Sequence, residues 1–246
     1  MCTATYLPLN ANGFILTHSR DEKAIRPAAQ LPRSVRIGGQ DVTFPQDSQG
    51  HGTWIAASAQ TTVCLLNGAF TPHTPNPPYT HSRGLVIPHF FGYPSADAFS
   101  ADYNFCNIEP FTLLIVEAGR RVVELRWNGT RLFTHEKDPN RPHIWSSVTL
   151  YTPEVIEKRE TWFRDWVHQH TNPTVDGIRT FHQFAGDGDS ENSIRMNRRD
   201  AFGQNALLTL SLTSIVQQDE AVEFIYEDFT QHTFSQQTIR SAYAVA

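Results

Sequence analysis

The chain opens with a strand, a tight turn and a returning strand, and this hairpin is the feature that most constrains the rest. Cys2 to Leu7 is rich in Thr and Tyr and reads as a strand. Asn10-Ala11-Asn12-Gly13 is turn chemistry, because Asn and Gly tolerate positive φ. Phe14-Ile15-Leu16-Thr17 is the return. A loop centred near Ala11 sets Cys2 across from Arg20, whereas a two-residue Asn12-Gly13 turn sets it across from Lys23. Either register places the start of the chain beside Ser19-Arg20-Asp21-Glu22-Lys23.

More hairpins follow: Thr53 to Ser58 with Thr62 to Leu66, and Phe111 to Glu117 with Val122 to Trp127. The four prolines between Pro72 and Pro78 mark a surface loop. A short helix is expected within Pro94 to Tyr103, with Ser95 near its N-cap. The strongest helix signal runs from Pro153 to His170, where Thr152 can cap and Pro153 suits the first turn. Val155, Ile156, Arg159, Trp162, Phe163, Trp166 and Val167 share its inward stripe. Val175 to Phe184 is a second helix, with Ile178 and Phe181 on one face. Ala206 to Ile215 and Ala221 to Tyr226 return to strand character. Strands, then helices, then strands, with no linker or repeat, predict one α+β domain over residues 1–246.

Net charge is −5, which argues against nucleic-acid binding, since that needs a basic face to displace counterions. The longest uncharged apolar-rich run, Ala206 to Val216, is far short of the ~20 residues of a membrane span, so no membrane insertion is expected. The odd set Cys2, Cys64 and Cys106 and the lack of a signal-like start predict a reducing, cytoplasmic setting. His168 and His170 point to different helix faces, and no metal-ligand spacing occurs, so no metal or cofactor is expected.

Cys2 is the principal candidate for chemistry. Removal of Met1 would leave a thiol of pKa ~8.5 and an α-amine of pKa ~7.7–8.0 on one residue, nucleophile and base together. Arg20 is expected to favour the thiolate, and Asp21 to orient the amine. As a small apolar strand residue, Cys2 equally suits a core position. Asn67, at a strand end before Gly68, is placed to donate to an oxyanion, although Asn-Gly is also plain turn chemistry. Arg195-Met196-Asn197-Arg198-Arg199 reads as a charged edge.

Met-Cys-Thr-Ala-Thr-Tyr-Leu-Pro (1–8), Gly-Phe-Ile-Leu-Thr-His-Ser-Arg-Asp-Glu-Lys (13–23) and Arg26-Pro27 resemble the NRDE family, the transport and Golgi organisation 2 group. Gly52-Thr53-Trp54-Ile55, Leu65 to Phe70, Ser82-Arg83-Gly84, Glu109 to Thr112 and His143 to Glu154 resemble its later blocks, in order. The family's Asn-Arg-Asp-Glu is Ser19-Arg20-Asp21-Glu22 here. That family is similar to N-terminal-nucleophile hydrolases of the choloylglycine hydrolase and penicillin V acylase type. The resemblance implies a four-layer αββα sandwich with two stacked antiparallel sheets. It implies Cys2 as nucleophile, its amine as base, Arg20 and Asp21 as supports, and Asn67 as oxyanion donor. Ser147 stands nearest to a second donor, which is Asn in those hydrolases, and Arg198 or Arg199 is matched to a late active-site arginine.

Two functions of different class are compatible with these residues. One is an amidohydrolase acting on a non-peptide C–N amide bond, or a thioester, of a small, partly apolar molecule. The other, implied by the family's link to haem handling, is a non-catalytic carrier that binds and traffics haem or another hydrophobic ligand on the same fold.

Overall fold

The computed structural model describes residues 2–9, 13–199, 206–218 and 221–240. β1 (Cys2–Pro8) and β2 (Phe14–Lys23) form the expected hairpin. Its register pairs Cys2 with Arg20 and Ala4 with His18, the arrangement that a loop centred near Ala11 requires. The turn residues Asn10, Ala11 and Asn12 themselves lie outside the described residues.

The second sheet is a meander in chain order. It comprises β3 (Gln30–Ile37), β4 (Gln40–Gln46), β5 (Ile55–Ala57), β6 (Thr61–Asn67), β7 (Phe111–Glu117), β8 (Arg121–Trp127) and β9 (Leu132–Lys137). β10 (His143–Ser146) then crosses to the first sheet and pairs with β1. β11 (Asn197–Arg198) and β12 (Leu207–Gln218) follow, then β13 (Ala221–Asp228) and β14 (Thr233–Arg240). The first sheet runs β10-β1-β2-β12-β13-β14, with β11 beside β12. All pairings are antiparallel.

Strand alternation sorts side chains into layers. Cys2, Ala4, Tyr6, Phe14 and Leu16 face the other sheet and meet Trp54, Ile55, Cys64, Leu66, Leu114 and Val116. Leu7 and Ile15 face outward, onto Phe163 of α3 (Pro153–Gln169) and Ile178 and Phe181 of α4 (Val175–Phe184). On the far side, α1 (Val86–Phe90) and α2 (Ala96–Asp102) cover Val63, Leu65, Leu113 and Ile115 with Val86, Ile87, Phe90 and Phe99. The result is a four-layer αββα sandwich. β1 and β2 are central strands covered on both faces, and so are almost wholly buried.

The helix termini follow their sequence signals. Ser95 accepts from the Ala98 amide, and Thr152 from the Val155 amide, each satisfying a free first-turn N–H. α3 stops at Gln169, where His170 leaves helical geometry. No strand is expected from the sequence at β3, β4, β9, β10, β11 or β14; of these, β3, β9 and β14 are edge strands with alternating polar residues and little apolar signal. Among the described residues no helix is long and apolar enough to cross a membrane.

Candidate active site

The pairing of Cys2 with Arg20 places both side chains on the face of the first sheet that looks toward the second. There a cavity of about 450 Å³ opens at one end of the sandwich, lined by Cys2, Arg20, Trp54, Asn67, Arg83 and Glu109 among others. Cys2 is 3% exposed. Burial pushes its thiol up from the ordinary value; the Asp21 carboxylate adds to the rise and Arg20 opposes it without offsetting it. Arg20 thus favours the thiolate, in the expected direction, but the desolvation cost of a buried anion outweighs its effect.

Arg20 is engaged elsewhere. Its Nη2 donates to Asp47 Oδ2 at 2.5 Å, and its guanidinium lies 4.1 Å from the centre of the Trp54 ring. Arg26 clamps the same carboxylate, Nε to Oδ2 at 3.0 Å and Nη2 to Oδ1 at 2.8 Å. The backbone amides of Gln49 and Gly50 donate to Oδ1 as well. Burial alone would raise the Asp47 pKa, but Arg26, the Gly50 amide and Arg20 together hold it below the usual carboxylate value. Also in the lining, Arg83 pairs with Glu109 at 3.0 Å, and His73 reaches the same carboxylate at 3.1 Å.

Asn67 ends β6 and lines the cavity with Cys2. Ser147 sits next to both of them through the backbone. Its amide donates to the Cys2 carbonyl at 2.9 Å and its hydroxyl to the Asn67 carbonyl at 2.7 Å. Ser147 is outside the cavity lining and its hydroxyl is committed, so the structure gives it a bracing position rather than that of a second free donor. Gly68 makes this brace possible. Its φ is +82°, and a Cβ there would meet the Val148 and Thr149 methyls at 2.6 and 2.7 Å.

Asp21, one residue on from Arg20, points to the other face of the sheet and is fully buried away from the cavity lining. Tyr151 Oη donates to its Oδ2 at 2.7 Å and Thr209 Oγ1 to its Oδ1 at 2.6 Å. Arg159 of α3, also fully buried, stacks on the Tyr151 ring at 3.5 Å. It also donates to Thr3 Oγ1 and to the Asn192 and Ser193 carbonyls. Burial raises the Asp21 pKa, while Arg159, Thr209 and Tyr151 oppose the rise. His182 of α4 bridges Ser19 and Thr5 at 2.7 and 2.8 Å, and burial holds its pKa well below the ordinary imidazole value.

Arg198 and Arg199 do not reach the cavity. Arg198 bonds Asn192 and the Glu191 carbonyl, and Arg199 bonds Asn197. The buried cation facing Asp21 comes instead from Arg159. Sequence reasoning also missed Asp47 and gave no role to Arg26, Trp54, Arg83 or Glu109. The last four all lie in sequence blocks already distinguished by their family likeness. Among the described residues no group of three or more His, Cys, Asp or Glu side chains is arranged to hold a metal ion.

Residues 1–240 match the family model described as Transport and Golgi organisation 2. The chain belongs to this family. No curated protein matches it significantly. Among solved structures it is similar to a mutant of the conjugated bile acid hydrolase from Clostridium perfringens, with TM-score 0.60 and 8% identity over 99% of this chain and 97% of that one. It is also similar to penicillin V acylase from Agrobacterium tumefaciens, with TM-score 0.54 and 11% identity over 98% and 87% of the two chains. At such identities the likeness shows the shared fold, an N-terminal-nucleophile-hydrolase sandwich with two antiparallel sheets. In this Transport and Golgi organisation 2 chain, the paired Cys2 and Arg20 open into a cavity formed by the loops at one end of that fold.

Proposed function

We propose that this chain is an N-terminal cysteine amidohydrolase acting on a C–N amide bond, or a thioester, of a small molecule. The observation that carries the reading is Cys2, register-locked opposite Arg20, at the wall of a cavity that Asn67 also lines. Hydrolysis of the Met1–Cys2 bond would free the α-amine. That amine takes the thiol proton as Sγ attacks the carbonyl carbon, and Asn67 donates to the oxyanion that forms. When the C–N bond breaks, the amine returns the proton to the leaving nitrogen. Water then attacks the thioester, the Cys2 thiol is regenerated, and an acid is released. A thiol raised by burial suits such a scheme, since it needs a base beside it at neutral pH.

Three features support parts of this reading. The cavity volume falls in the range of small-molecule sites. The cysteines are all free thiols, in keeping with a cytoplasmic setting. The lining carries three arginines and three carboxylates, which suits a polar part of a substrate.

Peptide mapping of protein from its native cells tests the first requirement, and a chain that quantitatively retains Met1 refutes the self-activated nucleophile. An amide and thioester screen tests the second. Cys2→Ala is expected to abolish turnover while leaving the unfolding transition nearly unchanged, because it trims one small buried side chain. Retained turnover in that variant refutes the assignment.

A further inference from the structure

The hydrogen-bond inventory of the cavity says what kind of molecule it takes. Formal charges in the lining balance: Arg20, Arg26 and Arg83 against Glu22, Asp47 and Glu109. Net charge therefore decides nothing, and local donor supply does. Asp47 accepts from Arg20, from Arg26 twice, and from the amides of Gln49 and Gly50, which fills the ~4 lone-pair sites of a carboxylate. It has nothing left to offer. Arg26 uses only its Nε and Nη2 on it, so its Nη1 has no acceptor among the described residues. Ser82 Oγ accepts from the Gly84 amide at 3.3 Å, and its own O–H likewise has no acceptor there. Trp54, lining the same cavity, has a buried indole N–H with no acceptor among the described residues.

Arg26 and Ser82 approach each other at Gly50, where the nearer guanidinium nitrogen is Nη2, which keeps one N–H beyond its bond to Asp47. A Cβ built on Gly50 would lie 3.3 Å from Arg26 Nη2 and 3.8 Å from Ser82 Oγ, and 3.2 Å from Asp47 Oδ1. The glycine is not there for its backbone, since its φ lies outside the left-handed region. The two loops that form the space are pinned together at Gly52 and Gly84. A Cβ on Gly52 would overlap the Gly84 backbone, and the Thr53 amide donates to the Gly84 carbonyl at 2.9 Å. A fixed, donor-rich corner with a saturated carboxylate behind it suits a group that only accepts hydrogen bonds and carries negative charge.

We infer that the cavity takes a substrate bearing an oxyanion, a carboxylate or a phosphate, seated over Gly50 between Arg26 and Ser82. This deepens the hydrolase reading and rests on it for the word substrate, but the binding step requires no turnover. The anion anchors one end of the molecule while the scissile carbonyl lies toward Cys2 and Asn67. Carboxylate and phosphate share the chemistry, and the probes separate them.

The test is thermal unfolding of the full chain titrated with three probes: N-acetylglycine, its uncharged N-methylamide, and inorganic phosphate. A saturable rise of the midpoint with N-acetylglycine but not with the methylamide assigns a carboxylate; a rise with phosphate alone assigns a phosphate. A rise with both assigns an oxyanion site open to either. Gly50→Ala, which puts a methyl into the seat, and Arg26→Gln, which removes a charge-assisted hydrogen bond, are each expected to weaken the effective probe about 10-fold or more. Should Arg26→Gln fail to fold, Ser82→Ala, which alters an exposed hydroxyl, gives the same reading. Equal response to the neutral methylamide, no response to any probe, or unchanged affinity in the variants overturns the inference. Cys2→Ala protein is expected to bind the probe normally. A wild-type chain that binds it but hydrolyses nothing would refute the hydrolase reading and leave the oxyanion site standing. An active chain with no probe response would do the reverse.

Discussion

Arg20 and Asp21 are neighbours in sequence, yet they sit in opposite kinds of site. Strand alternation turns Arg20 to the cavity face and Asp21 to the helix face. On the cavity side, charge meets charge directly: Asp47 is shared by Arg20 and Arg26 at hydrogen-bond distance, with Arg26 partly exposed. On the helix side, Asp21 and Arg159 are both fully buried and are not joined as an ion pair; the Tyr151 side chain lies between them, bonding one and stacking on the other. The first arrangement leaves donors for a ligand, while the second engages both carboxylate oxygens of Asp21 in neutral hydroxyl contacts. One strand thus carries a binding wall on one face and a sealed brace on the other.

The largest expected effect lies on the sealed side. Arg159→Met keeps the length of the side chain but removes the cation, leaving the buried Asp21 with only the Tyr151 and Thr209 hydroxyls to compensate it. Such a loss costs ~3–5 kcal/mol, read as a fall in the denaturant midpoint with the slope unchanged. A cost below ~1 kcal/mol would mean that Asp21 does not depend on Arg159 and that the two faces do not differ in this way. On the open side Asp47→Asn removes the shared anion. Its expected cost is smaller, about 2–3 kcal/mol, because solvent reaches Arg26. Equal costs for the two variants would erase the contrast.

How far the sequence exposed these features depended on the range over which each was encoded. Cys2 beside the Ser19 to Lys23 segment was legible because a short turn and a period of two tie residues that are near in the chain, and the structure decides between Arg20 and Lys23 in favour of Arg20. Arg159 was legible as a position, since helical spacing placed it on the inward stripe of α3, but its charge gave no hint of its partner 138 residues earlier, Asp21. Asp47 was not legible. It follows β4 on a loop, and only the stacking of two separate sheets brings it to Arg20. Phe90, Phe99, Phe105, Phe111 and Trp127 fill the layer between α1, α2 and the second sheet and belong to the core. Ser147 was found by chain position, but its commitment to the Asn67 carbonyl depends on the crossover to β10.

The smallest effect separates the two faces by pH alone. His182 belongs to the sealed side, where burial, with His18, Arg159 and Arg179 adding repulsion, holds its folded pKa well below that of the unfolded chain. The unfolded state therefore binds the proton first. Stability is full above pH ~6.5 and falls as pH drops below it, by up to about 1.4 kcal/mol per pH unit. Asp47 on the open side is also depressed in the folded state, but from a carboxylate value. Its contribution is present above pH ~3.9 and is lost only as pH falls through the lower folded value. Unfolding measured between pH 7 and 5 should thus report His182, together with His89 and His143, which burial also holds below the ordinary imidazole value, and not Asp47. His182→Gln is expected to reduce that slope, whereas Asp47→Asn should lower stability at every pH in the window and leave the slope as it was. A slope unchanged by His182→Gln would remove the imidazole from the brace behind Asp21.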